Sequence, residues 1–127
     1  MELTEFENLV FEVLEGLPRQ FQEKLDNVTV VVEDWPVEEQ LKSVKLSPGT
    51  TLFGLYQGVP KTRRGSSYTL VPPDKITIFQ GPLEYFFRMP EAIKEQVRKT
   101  VMHEIGHHFG LSDADISAKE QLKNQKY

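Results

Sequence analysis

Apolar residues recur at Phe6, Leu9, Val10, Val13, Leu14 and Leu17, the three-and-four spacing that lays one stripe along an α-helix. Thr4 with Glu7 three residues later has the form of a capping box at the start of this helix. Gly16 and Pro18 end it. A stripe of this kind packs on a sheet far more often than it faces a partner. Pro18 then opens a second short helix carrying Phe21 and Leu25.

The period changes at Val28. Residues 28–33 are a β-branched run and predict the clearest strand in the chain. Asp34-Trp35-Pro36 turns the chain, and residues 36–44 predict one or two helical turns. Trp35, the single Trp, reads as an anchor at the core or its rim. Residues 51–56 predict a second strand, with Gly54 marking a bulge or a close approach. Residues 76–79 predict a third. The connection between these two strands holds Lys61, Arg63, Arg64, Gly65, Ser66 and Ser67 but no helical pattern, so an antiparallel pair is expected. A loop that long is either a solvated flap or functional. In the functional case it grips substrate, with Tyr68 or an Arg stabilising a developing oxyanion.

Gly81-Pro82 breaks the third strand, and residues 83–87 predict a short turn of helix. Pro90 opens the longest helical pattern, with Glu91 in its first turn. Ile93, Val97, Val101 and Ile105 form its core stripe. Gly106 costs this helix about 1 kcal/mol relative to Ala, which close packing would explain. Residues 115–123 predict a final polar helix. The fold class is therefore α+β: a small mixed sheet of about three strands packed against an N-terminal helix and a long helix.

That long helix carries the chemistry. His103 and His107 are four apart, on one helical face and about 6 Å apart along the axis. Two imidazoles so placed can converge on one ion at the usual Zn–N distance of about 2.0–2.1 Å. Glu104 is poorly placed to be a third ligand but well placed to hydrogen-bond the attacking water, the role of a general base in H-E-x-x-H hydrolases. All three His of the chain, His108 included, fall in this segment. His108 lies off the ligand face and reads as a surface or supporting residue. Gly110 stands where the helix should turn sharply. Asp113 follows three residues later and can fold back as the third protein donor of a catalytic zinc, with Asp115 and Glu120 as alternatives.

The string from His103 to Asp113, H-E-x-x-H-x-x-G-x-x-D, resembles the extended motif of zincin metallopeptidases, most closely the small bacterial zincin-like family. That resemblance implies a minimal zincin-like fold, a Zn2+ cofactor held by His103, His107 and Asp113, and Glu104 as base in peptide hydrolysis. For that chemistry a strand edge near the site, residues 76–79, is expected to hold an extended peptide by main-chain pairing. Metzincins share the Gly turn but carry His where Asp113 stands, and no Met-turn is available because no Met follows Met102. The two-His spacing is also similar to that of small bacterial endoribonucleases, which lack the Glu and end in His. A non-catalytic zinc-binding interaction domain is the third reading; it has no need of Glu104.

Composition narrows these choices. The 127 residues suit a single domain over 1–127. Hydrophobic content of 39% and charged content of 27% are those of a soluble globular protein. With no Cys, any metal must be held by His and carboxylates. A net charge of −4 disfavours nucleic acid as partner and leaves a peptide or protein substrate. The acidic N-terminus has no signal-peptide pattern and no apolar run spans a membrane, so the expected compartment is the cytoplasm.

Overall fold

The computed structural model describes residues 1–44, 52–58 and 73–109. Helix α1 (Leu3–Glu15) buries Phe6, Leu9, Val10 and Val13, the predicted stripe. Its start departs from the capping-box expectation: Glu2 is the N-cap, no side chain caps it, and Thr4 lies inside the helix. Pro18 precedes α2 (Arg19–Lys24), which buries Phe21, and a 3-10 turn at Leu25–Asn27 leads into β1 (Val28–Glu33). Helix α3 (Glu38–Lys42) follows. Strand β2 (Gly54–Gln57) is shorter than predicted, and β3 (Asp74–Phe79) begins two residues earlier than predicted. Helix α4 (Gln80–Phe86) starts directly from the end of β3, so Gly81-Pro82 initiates a helix as it ends the strand. Helix α5 (Pro90–His108) runs 19 residues, with Pro90 in its first turn.

The three strands form one mixed sheet in the order β1-β3-β2. β3 pairs with β1 in parallel, Val30 opposite Ile76, and with β2 antiparallel, Tyr56 opposite Ile76. The antiparallel β2–β3 pair is the one expected from the sequence. Alternation along β3 then sorts the core. Ile76 and Ile78 face α1, α2 and α5 and join Phe6, Phe21, Val97, Val101 and Ile105 in the main cluster. Phe79 faces the other way, packing with Leu52 and Leu55 against Leu41 and Val44. All four residues of the predicted α5 stripe are buried, as is Gly106.

Two further placements complete the picture. Trp35 is half exposed, its ring lying over Gly81 and edge-on to Tyr85, so it is a rim anchor. Arg98, inside α5, is buried: its guanidinium forks the Glu95 carboxylate and reaches Met102 Sδ at 3.6 Å. Pairing within one helix turn is what lets that charge sit against the core. Among the described residues no helix is long and apolar enough to cross a membrane.

Candidate active site

Strand β2 and the C-terminal half of α5 meet along a matched row. Two residues of strand advance the chain by about 6.6–6.8 Å and four residues of helix by about 6 Å, so i+2 steps on one can follow i+4 steps on the other. Gly54, Tyr56 and Gly58 supply the strand positions; Thr100, Glu104 and His108 supply the helix positions. A Cβ on Gly54 would stand 2.6 Å from Thr100 Cγ2, and one on Gly58 would stand 3.0 Å from His108 Cε1. Both glycines therefore mark the close approach that the sequence suggested for Gly54. At Gly54 only a residue without a side chain lets α5 come this near.

Between them Tyr56 is held at its ring and at its hydroxyl. Its ring stacks on His108 with centroids 4.0 Å apart and planes 21° apart. Its hydroxyl donates to Asp74 Oδ2 at 2.7 Å, across the sheet on β3. Its backbone favours the ionised form of the nearby Glu104 carboxylate. Asp74 is buried, and His108 Nε2 lies 3.7 Å from the same Oδ2. Thus His108 sits off the His103/His107 face and supports β2.

His103 and His107 stand one turn apart on α5, ring centroids 6.0 Å apart and planes 52° apart. His103 is half-buried and His107 exposed. Glu104, half-buried, lies beside them on the side toward β2. Burial pushes its carboxyl above the ordinary glutamate value; the Tyr56 N–H and nearby His107 pull the other way without cancelling it. Desolvation of a carboxylate next to two imidazoles is an arrangement found where a proton must be taken and returned.

Two imidazoles on one helical face, in a chain without Cys, suit a borderline metal such as zinc. Among the described residues no group of three or more His, Asp or Glu comes together as a metal site. Asp113, the third donor expected from the motif, lies outside the described residues. So do its alternatives Asp115 and Glu120, the Gly110 turn, the predicted last helix and the loop with Tyr68.

The residues between 25 and 122 match the model of one family, described as zincin-like metallopeptidase. That span covers most of the chain. The chain belongs to the zincin-like metallopeptidase family. Among solved structures, this zincin-like chain is similar to a conserved hypothetical protein from T. thermophilus. The two share 23% identity with a TM-score of 0.57, over 86% of this chain and 94% of that one. At that identity the likeness concerns the fold. No curated protein matches the chain.

Reasoning from sequence passed over Tyr56, Asp74 and Thr100. A signal was present: glycines flanking an aromatic at alternate positions, Gly54-x-Tyr56-x-Gly58, are unusual in a strand and mark one face as closely covered. Asp74 carried none, because its role depends on a cross-strand diagonal that only the register reveals.

Proposed function

We propose that this zincin-like protein is a zinc-dependent peptidase in which His103, His107 and Asp113 hold the metal and Glu104 is the general base. The observation that carries this reading is the placement of Glu104, next to the His103/His107 pair on α5 and desolvated there. A domain that merely bound zinc would need the two imidazoles but no buried carboxylate between them and β2. A bound zinc lowers the pKa of water toward about 7 and polarises the scissile carbonyl. The chain's own residues do the rest. Glu104 takes the proton of the attacking water, and after the C–N bond breaks it delivers that proton to the departing amine.

The sequence suggested residues 76–79 as the edge that would hold an extended peptide. That strand is the centre of the sheet, paired on both sides, and has no free edge. β2 takes its place in the proposal: among the described residues it is the edge strand next to α5. A peptide laid along it would pair through main-chain groups and run past the His pair.

Elemental mass spectrometry on the purified protein, with and without Asp113→Ala, tests the ligand set. About one zinc per chain, falling sharply in the variant, is the expected result for a three-donor catalytic site. Zinc retained in the variant moves the third ligand to Asp115 or Glu120. No zinc uptake at all overturns the reading.

A further inference from the structure

The sheet has a second edge, remote from the His pair. β1 lies on the far side of β3 from β2 and pairs with β3 from Val28 to Glu33 in unbroken register. Among the described residues no strand pairs with its other side. Every second residue of such a strand turns its N–H and C=O outward. Proteins commonly blunt an edge of this kind with Lys, Pro, a bulge or an early charge. Val28-Thr29-Val30-Val31-Val32 has none of these, and charge begins only at Glu33.

The helical layer also stops short of this edge. Ile76 and Ile78 on the middle strand are wholly buried, whereas Val28, Val30 and Val32, beside them in the same cluster, are only half-buried. What remains is an open trough of about 390 Å³ between β1 and the helices, lined by Val28 and Val30 and by Phe11, Leu14 and Leu25. Phe11 is 56% exposed there. The charged lining is negative: Glu15 and Asp26, both exposed. The two belong to one end of the trough. Asp26 shortly precedes Val28, and Gln22 Nε2 ties α2 to the end of α1 through Glu15 O at 2.6 Å and Leu17 O at 2.9 Å.

We propose that the outer edge of β1 and this trough form a docking site for an extended segment of another protein, apolar at every second residue and carrying Lys or Arg at the Val28 end. Such a segment would bond to the outward main-chain groups of β1, and its alternating side chains would drop into the trough. The cation would meet Glu15 and Asp26. A second copy of this chain fits less well. Antiparallel self-pairing of β1 would bring Glu33 of one copy toward Asp26 and Glu15 of the other, in a chain of net charge −4. The site is independent of metal and of peptide cleavage.

The test uses the full chain, isotope-labelled for amide NMR, and the acetylated, amidated peptide Val-Ser-Val-Ser-Val-Ser-Arg. Antiparallel pairing, the more stable kind, puts its Arg at the Val28 end. We expect saturable shifts at residues 28–33 and at Phe11, Leu14 and Leu25. The same residues out of alternation, Val-Val-Ser-Ser-Ser-Val-Arg, should not bind. Glu15→Lys together with Asp26→Lys should weaken binding by about three- to tenfold, the scale of exposed ion pairs. Glu in place of the peptide's Arg should restore what that double variant loses.

No saturable shift up to about 1 mM peptide overturns the proposal, and so do shifts confined to residues 54–57, which would put the docking edge at β2. Equal binding of both peptides, or binding indifferent to the charge exchange, would reduce β1 to a merely adhesive edge and overturns it too. Concentration-dependent dimerisation in sedimentation, abolished by Val30→Lys and not by excess peptide, gives the edge to a second copy and overturns the choice of a foreign partner.

Discussion

Gly54 faces Thr100 across a gap that admits no side chain: an added Cβ would lie 2.6 Å from Thr100 Cγ2, with Thr77 O at 3.3 Å and Ile78 Cδ1 at 3.4 Å. This contact sets how close α5, which carries Glu104, comes to β2.

Gly54→Ala should therefore destabilise the protein by about 1–3 kcal/mol, the usual cost of overpacking a closed site. Thr100→Ser removes the obstructing methyl and keeps the hydroxyl that accepts from Gln96 Nε2 at 3.1 Å. Added to Gly54→Ala, it should recover part of the loss, the backbone oxygen of Thr77 being unable to yield. Urea midpoints of the two single variants and the double variant measure the coupling. Strict additivity would mean that the helix–strand distance is set elsewhere.

Gly81, just past the same end of β3, gives the opposite case. A Cβ there would run into the Trp35 ring. That ring is half exposed and can swing away, whereas Thr100 is held in a helix. Gly81→Ala also gains up to about 1 kcal/mol of helix propensity within α4. Stability should change by less than about 1 kcal/mol, while Trp35 fluorescence shifts to the red as the indole moves into water. An unshifted spectrum would show that the ring does not rest on Gly81 in solution.

The contrast between these two glycines shows what could be read from the chain. Local pattern was enough for α1, β1, α5 and the buried row Ile93, Val97, Val101 and Ile105, because periodicity reports directly which face loses water. The H-E-x-x-H string likewise announced its own chemistry, since helical spacing brings His103 and His107 together without help from the rest of the fold. Thr4 misled because a capping pattern states only that a cap is chemically possible; the helix began earlier, at Leu3. What stayed hidden was non-local. The parallel pairing of β1 with β3 places β3 in the middle, which removed residues 76–79 as a docking edge. The Tyr56–Asp74 bond spans 18 residues and exists only in that register.

Glu104→Gln isolates the proposed base. The amide keeps the size and shape of the side chain, and the His pair is untouched, so zinc content should be preserved. Turnover should fall by about 100- to 10,000-fold, the range attributed to general acid–base catalysis. Elemental analysis beside peptide cleavage by the same preparation checks both halves. Activity within a few-fold of the parent would remove Glu104 from the mechanism.

The same substitution should act in the opposite direction on stability when metal is stripped with a chelator. Burial raises the carboxyl of Glu104 above its unfolded value. Between those two values the folded chain binds more protons than the unfolded one, so this group makes stability fall as pH rises through that window. Above the folded value the ionised carboxylate carries its full desolvation cost, offset in part by the Tyr56 N–H and His107. Below the unfolded value, near that of an ordinary glutamate, the cost is absent. Metal-free Glu104→Gln should thus unfold at higher urea than the parent at pH 7, and the gap should close as pH is lowered through the carboxylate range. Equal midpoints at pH 7, or a gap that widens in acid, would mean that Glu104 is better solvated than its place against β2 requires. A stabilised but inactive variant would mark Glu104 as a residue held for chemistry at a cost to the fold.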